Sequence, residues 1–440
     1  MKRSKAPLLW TALVSALLLV LLLWRWQTSS DTRQQEFAEI DVSAVVSSQS
    51  QPSANPLFRF RRGTGAGAVE ADVEDPAERV QRKLDQFLIS RLDLARALAA
   101  HKQVTLPPVV EEFFTALRSD WERATALLTA WKENGGLPAE TREFGGVLLH
   151  PLIEAYGVAE VARRWPADRL VQYGETLMGA LPPGAVYVGG TDAGRFIPLL
   201  LGDSDRIMLT QNQLADGHYL EYVRYQFDGR LQSLSLNDSA ALSSAYLADA
   251  QERLRHDQQN PDAPPRIRSG EVVRAVGNSI QVGGAGAVMT LNEMALVALM
   301  DKNPGLTFVM EESWSLPGTY AGATLAGPLI QLRTEDGGQR LSAEQAGAAV
   351  DYWRTAQADL VSEAWDSPVR QSWGQLAVAQ ANLLSHHGLG SEAEQIYRLA
   401  YELAPANAHV VEAYAGFLKK TGKPSEAQKL LATLPAAIRP

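Results

Sequence analysis

No residue of this chain is a cysteine, which removes disulfides, thiolate metal sites and cysteine nucleophiles together. Histidine is scarce as well. Seven are scattered through 440 residues and none sits in a His-Glu-x-x-His arrangement. The adjacent His386 and His387 fall in a turn between repeat helices, where neighbouring imidazoles point different ways, so no metal site is expected there. The chain also lacks a Gly-x-Ser-x-Gly elbow, a Walker lysine loop and a Gly-x-Gly-x-x-Gly dinucleotide spacing, and no cofactor is expected. Positive charge is not in excess: the formal net charge of −9 argues against a general nucleic-acid binder. What remains is the balance of a globular protein, 46% apolar and 21% charged, long enough for two or three domains.

The first 26 residues carry the strongest single pattern. Lys2, Arg3 and Lys5 precede Ala6–Trp24, 19 residues without a charge, just long enough to cross the hydrocarbon core as a helix. Trp10, Trp24 and Trp26 suit the membrane interfaces. With the positive charge on the N-terminal side, residues 6–24 are expected to anchor the chain once in the cytoplasmic membrane, N-terminus inside and bulk extracytoplasmic. The rival is a cleaved signal peptide, for which Gln27-Thr28-Ser29-Ser30 is a poor cleavage site. Residues 27–74, with Ser47-Ser48-Gln49-Ser50 and Arg59-Phe60-Arg61-Arg62, bury too little apolar surface to order themselves and are expected to form a disordered tether.

Three folded segments follow. Over 75–181, Val80, Leu84, Phe87, Leu88, Leu92 and Leu94 track one helical face, and a wider stripe runs from Val109 to Trp131. Further helices are expected near 139–156, 158–165 and 166–180, which makes this a helical domain. Over 182–335 short apolar runs, Ala185–Val188, Ile207–Leu209 and Leu306–Met310, alternate with helical stretches. Asp238 is expected to cap a helix reaching about His256, Gly277-Asn278 to turn a hairpin, and Thr290-x-x-Glu293 to open a helix over 291–300. The alternation predicts a small α/β domain with a largely parallel sheet. Over 340–437, Ala381, Leu384, Gly388 and Ser391-Glu392-Ala393 recur 34 positions later as Ala415, Leu418, Gly422 and Ser425-Glu426-Ala427. That period, with Tyr397, Ala400 and Pro405, resembles the tetratricopeptide repeat, degenerate in its first copy where Ala377 stands in place of tryptophan. Residues 342–365 are expected to supply one more helix to pack on. Such a repeat is either a packing cap or a groove for a protein partner.

Candidate ligand-binding residues come from the strand ends, because ligands of open α/β sheets gather there. After the first strand, Gly189-Gly190-Thr191-Asp192-Ala193-Gly194-Arg195 opens a helix; its backbone donors and Arg195 could hold an anionic group. Asp192 is also a natural cap that would repel that anion, and a tight capped turn explains the same residues. The second strand ends in Thr210-Gln211-Asn212, followed by Asp216 and His218, and the third in Glu311-Glu312-Ser313. The candidates are therefore Thr191, Asp192, Arg195, Gln211, Asn212, Asp216, His218 and Glu312. Adjacent Glu311 and Glu312 face opposite sides of an extended chain, so a carboxylate pair would be built across strands, Asp192 with one of the glutamates.

The stretches 182–196 and 210–220, together with Phe308-Val309-Met310-Glu311-Glu312-Ser313, resemble the soluble domain of a poorly characterised family of bacterial envelope proteins, in which it stands beside tetratricopeptide repeats. The same stretches are similar to the soluble part of membrane proteins related to protein-O-mannosyltransferases. The likeness spans roughly 150–334 and departs at Ala193, where proline is expected, and over 315–326, where Gly and Ala dilute an aromatic-rich pattern. It implies no catalytic residue, because in the transferase relatives chemistry belongs to a multi-helix membrane part. A non-catalytic scaffold or ligand-binding accessory of envelope or glycoconjugate assembly is thus expected. It would dock a protein through the repeat and hold a glycan or phosphate group at the strand ends. The alternative is a transferase or hydrolase on an envelope glycan, using Asp192 or Glu312 with His218.

Overall fold

The computed structural model describes residues 74–133, 142–203, 205–268, 270–276, 279–332 and 341–434. The expected anchor over 6–24 and nearly all of the tether lie outside them. Among the described residues no helix is long and apolar enough to cross a membrane. The chain groups into two compact units, a larger one from Val45–Thr210 with Leu306–Tyr414 and a smaller one that includes Gln211–Gly305 and Ala415–Pro440.

The larger unit begins with helix α1 (Pro76–His101), capped by the Asp75 side chain, which accepts from the Ala77 amide at 3.0 Å. The stripe over 109–131 is two helices, α2 (Pro108–Ser119) and α3 (Trp121–Glu133). Asp120 separates them: its backbone leaves helical geometry and its carboxylate caps the Arg123 amide at 3.0 Å. The helices expected near 139–156 and 158–165 are instead one, α4 (Arg142–Arg164), which runs through Pro151. Helix α5 (Ala167–Gly179) follows, then strand β1 (Val186–Gly189), helix α6 (Ala193–Leu201) and strand β2 (Met208–Thr210). Helices α1, α4 and α5 pack against α6, so the helical layer covers the strand–helix–strand unit rather than standing apart from it.

In the smaller unit a 3-10 turn (Gln211–Gln213) leads to α7 (Gly217–Gln226), α8 (Leu236–Gln259), the hairpin β3 (Val272–Val276) and β4 (Ser279–Gly283), and α9 (Ala285–Lys302). Two helix starts differ from the expected ones. Ser235, not Asp238, caps α8. Asp238 is the third helical residue and completes the capping box by accepting from the Ser235 amide at 2.7 Å; the Ser235 hydroxyl, that amide and Lys302 together lower its pKa to about 2. Helix α9 starts at Ala285, and Thr290 lies inside it, its hydroxyl bonded to the Gly286 carbonyl rather than capping.

Back in the larger unit, β5 (Phe308–Met310) pairs parallel with β1, while β6 (Thr324–Ala326) and β7 (Leu329–Leu332) form an antiparallel hairpin whose second strand pairs antiparallel with β5. The order is β2-β1-β5-β7-β6, so the sheet is mixed, not largely parallel. The hairpin lies where Gly and Ala thin the apolar pattern, which hid it. Helices α10 (Ala343–Asp359), α11 (Pro368–His386) and α12 (Gly390–Leu403) complete this unit with the start of α13 (Ala408–Lys420), and α14 (Pro424–Leu431) ends the described chain. Gln380 of α11 receives the Trp353 indole N–H at 2.8 Å and donates to the Gly327 carbonyl at 2.6 Å, tying α10 and the β6–β7 turn to the repeat.

Pro198 lies within α6 and has no N–H for the Gly194 carbonyl one turn earlier. The Tyr187 hydroxyl, fully buried on β1, donates to that carbonyl instead. Tyr187→Phe therefore strands a buried acceptor and should cost about 1–3 kcal/mol in urea denaturation. A loss within about 0.3 kcal/mol would mean that the carbonyl finds another donor.

Candidate functional site

Parallel pairing of β1 with both β2 and β5 brings three strand ends to one edge, with Gly189 opposite Thr210 and Val188 opposite Met310. The turn after β1 and the residues after β5 meet there. Asp192 caps α6 by accepting from the Gly194 amide at 3.1 Å. Glu311, only 2% exposed, lies along the same turn: its Oε2 accepts from the Ser313 hydroxyl at 2.9 Å and from the Gly190 amide at 3.4 Å. Side chains at positions 190 and 194 would destroy this arrangement. A Cβ on Gly194 would stand 2.2 Å from the Glu311 carboxyl carbon, and one on Gly190 2.0 Å from Ser313 Oγ.

The two carboxyl groups interact. Burial raises the pKa of Glu311 well above the usual carboxylate range, and the neighbouring Asp192 charge raises it further. Desolvation raises Asp192 too, against the lowering hydrogen bonds from Ser313 and Gly194. The cross-strand pair is thus Asp192 with Glu311, a residue outside the candidate set. Its signal was the glycine at position 194, whose missing side chain makes the space.

Arg195 does not face an anion at this edge. It is 1% exposed, and its guanidinium pairs with Glu154 of α4, which Arg91 of α1 also contacts at 3.0 Å. That ion pair locks the helical layer onto α6, while Arg195 Nε makes no hydrogen bond among the described residues. Glu312 turns to the opposite side from Glu311, as an extended chain requires. It accepts from the Tyr320 hydroxyl, from the Leu316 amide at 3.4 Å and from Asn382 Nδ2 of α11 at 3.2 Å. Asn382 in turn accepts from the Tyr397 hydroxyl of α12 at 2.5 Å. Burial, then the Glu312 charge, raises the Tyr320 hydroxyl well above its ordinary value. His387 Nε2 reaches the Tyr320 carbonyl at 3.1 Å and His386 sets its ring edge-on against Tyr320, so both histidines belong to this network. Thr191 is half-buried in the turn beside Asp192.

The other candidates belong to the smaller unit. Gln211 is fully buried in the 3-10 turn and Asn212 half-buried beside it. Asp216 caps α7, accepting from the His218 amide at 2.9 Å, and desolvation raises its carboxyl. Ala215 donates to the buried Asn292 at 2.9 Å, which fixes this turn to α9. Among the described residues no three His, Asp or Glu side chains gather as a metal cluster.

Residues 387–440 match the family model of the tetratricopeptide repeat. No curated protein and no solved structure matches the chain. The C-terminal segment therefore carries the repeat that its 34-residue period announces, and repeats of this kind generally bind protein partners. Helices α11 and α12 pack against each other, α10 supplies the expected extra helix against α12, and Tyr397 stacks on Tyr414 with centroids 5.8 Å apart.

The raised acids give stability a definite pH dependence. A carboxyl whose folded pKa exceeds its unfolded value holds its proton more tightly in the folded state, so stability falls as pH rises past about 4. In metal-free buffer the parent should lose stability between the ordinary carboxylate pKa and the folded one, at no more than about 1.4 kcal/mol per pH unit for each proton. Glu311→Gln should flatten the slope and be the more stable protein at pH 8. Parallel profiles for both would mean that the pair is not what titrates.

Proposed function

We propose that this protein is a membrane-anchored extracytoplasmic scaffold that docks a protein partner through its tetratricopeptide repeat during envelope or glycoconjugate assembly. The observation that carries this reading is the repeat itself, matched over 387–440. The extracytoplasmic setting is supported by the basic start, the uncharged run over 6–24 and its flanking tryptophans. The envelope role is supported by the resemblance of 182–196, 210–220 and 308–313 to the soluble domain found beside such repeats. A phosphate ligand at the strand ends is disfavoured, because the guanidinium of Arg195 is paired with Glu154 and Asp192 takes the helix start.

The enzyme alternative, which uses Asp192 or Glu312 with His218, loses one of its groups: Glu312 is bound by Tyr320 and Asn382. The accessory role needs no such groups.

Arg398 and Lys419 are exposed on the repeat and neither fills the core. In membranes of the source cell, crosslinking from the full chain should capture one discrete partner. An Arg398→Glu, Lys419→Glu variant should capture about ten-fold less, the ratio for 1.4 kcal/mol, with its melting temperature unchanged. Full capture by the variant would refute docking through these surfaces. The full chain should also sediment with membranes and resist carbonate extraction, whereas a chain starting at Asp75 should stay in the supernatant. Equal partitioning of the two would remove the anchor.

A further inference from the structure

Between α10 and α11 the larger unit presents a tryptophan to solvent on a turn that is firmly held. Trp365 is 55% exposed and Val361 66%, with Ala364 exposed between them. The Ser367 amide donates to the Ala364 carbonyl at 3.0 Å, which puts Trp365 and Asp366 at the middle of a tight turn. Arg169 of α5 donates to the Glu363 carboxylate at 2.7 Å. Arg370 of α11 donates to the Glu363 carbonyl at 3.3 Å and to the Leu403 carbonyl at 2.7 Å, and Gln371 donates to the Trp365 carbonyl at 3.3 Å. A segment ordered in advance loses little further freedom when something binds it, and tryptophan is among the side chains that most often centre a binding surface.

The rim of this patch is acidic. Asp168, Asp359 and Asp366, next in sequence to Arg169, Leu360 and Trp365, are exposed and make no ion pair among the described residues. The cations beside them, Arg169 and Arg370, are already bonded to Glu363 and to backbone carbonyls. An anionic lipid surface is repelled by such a rim, whereas a basic and aromatic chain suits it.

The sequence holds such a stretch in Leu57-Phe58-Arg59-Phe60-Arg61-Arg62, which lies outside the described residues. The described chain begins at Glu74, just before α1. Arg79 of α1 bonds Glu175 of α5 at 2.6 Å, and Arg169 of the same helix bonds Glu363. The start of α1 and the patch are therefore joined through one short helix, at positions about 9 Å apart along its axis. The roughly twelve residues from Arg62 to Glu74 span about 19 Å as a flexible coil and about 40 Å when extended, enough to cover that separation.

We propose that residues 57–62 dock back onto the Val361–Trp365 patch, the phenylalanines against the tryptophan and valine, the arginines against Asp168, Asp359 and Asp366. The patch supplies the apolar surface that the tether lacks by itself. Docking shortens the free chain ahead of the larger unit and covers Trp365. It is independent of partner binding at Arg398 and Lys419, and either can fail alone.

Because the chain has no cysteine, two introduced ones can be labelled without competition. Spin labels at Gly63→Cys and Thr355→Cys, the latter exposed on α10, report on docking in the full chain in detergent. Double electron–electron resonance should give one peak, at most half as wide as the distribution from the same chain carrying Trp365→Ala. Arg59→Glu, Arg61→Glu and Arg62→Glu together should broaden it equally. Adding Asp359→Arg and Asp366→Arg to that triple variant should restore the narrow peak, a rescue that damage to the fold does not produce. A parent distribution as broad as that of Trp365→Ala overturns the proposal. A narrow peak that persists in Trp365→Ala and in the triple variant overturns it too, because the segment then docks elsewhere. So does a peak that vanishes when labelled chain is diluted into unlabelled chain, which assigns the patch to a second copy.

Discussion

The approach of the Glu311 carboxyl to the backbone of the Gly190–Gly194 turn is the constraint on which much of the larger unit depends. That carboxyl occupies space that any side chain at position 194 would need, 2.2 Å from where a Cβ would stand. The close approach holds β5 beside β1 at its polar end, where the Glu311 amide also donates to the Val188 carbonyl at 2.8 Å. It places Asp192 so that one carboxyl both starts α6 and faces a second acid. The next residues continue the same logic. Arg195 passes under the helical layer to Glu154, and Tyr187 supplies the donor that Pro198 withholds from Gly194. Within about ten residues a turn, a helix start and an inter-layer ion pair are fixed together.

Glu312 extends that constraint in the other direction. Two adjacent glutamates leave β5 toward opposite sides, one into the glycine turn and the other into Tyr320, Asn382 and Tyr397. A three-residue strand therefore connects the acidic edge of the sheet to the first helices of the repeat region. Buried polar networks of this kind are costly when incomplete, because a lost partner leaves a desolvated charge behind. That cost ties the position of α11 and α12 to the exit of β5. The hydrogen bonds from Gln380 to the β6–β7 turn fasten the same pair of helices to the sheet's antiparallel side.

Much of this was legible in the residues, and the parts that were not have physical reasons. The strands of β1, β2 and β5 are continuous apolar runs because both their faces are covered, and the 34-residue period betrays the repeat because each copy repeats the same helix crossing. Helix starts were less legible. Asp238 and Thr290-x-x-Glu293 carry capping chemistry, but Ser235 stands three residues before Asp238 and closes the box from outside, while Thr290 turns its hydroxyl back into its own helix. The β6–β7 hairpin escaped because its strands are short and the first is only half-buried, which weakens the apolar contrast. At the candidate site the strand-end rule located the edge and the alternation of Glu311 and Glu312 told the two apart. Arg195 misled, because a cation beside a glycine turn looks like an anion clamp until its partner on α4, 41 residues earlier, is known.

The charge balance of that edge bears on function more than any motif does. In an anion site the helix N-terminus and its arginine act in concert, each adding positive potential at the same place. Here the arginine is withdrawn beneath the sheet edge to Glu154 and an acid takes the cap, with a second acid beside it, so the two positive contributions do not meet at one place. Burial raises both acids, so the edge holds protons more tightly than free carboxyls do. Glu311, at 2% exposed, is the more deeply enclosed of the two. The next residue, Glu312, turns away from that edge and bonds Asn382 of α11, so the acidic turn and the repeat region are joined through adjacent residues after one short strand.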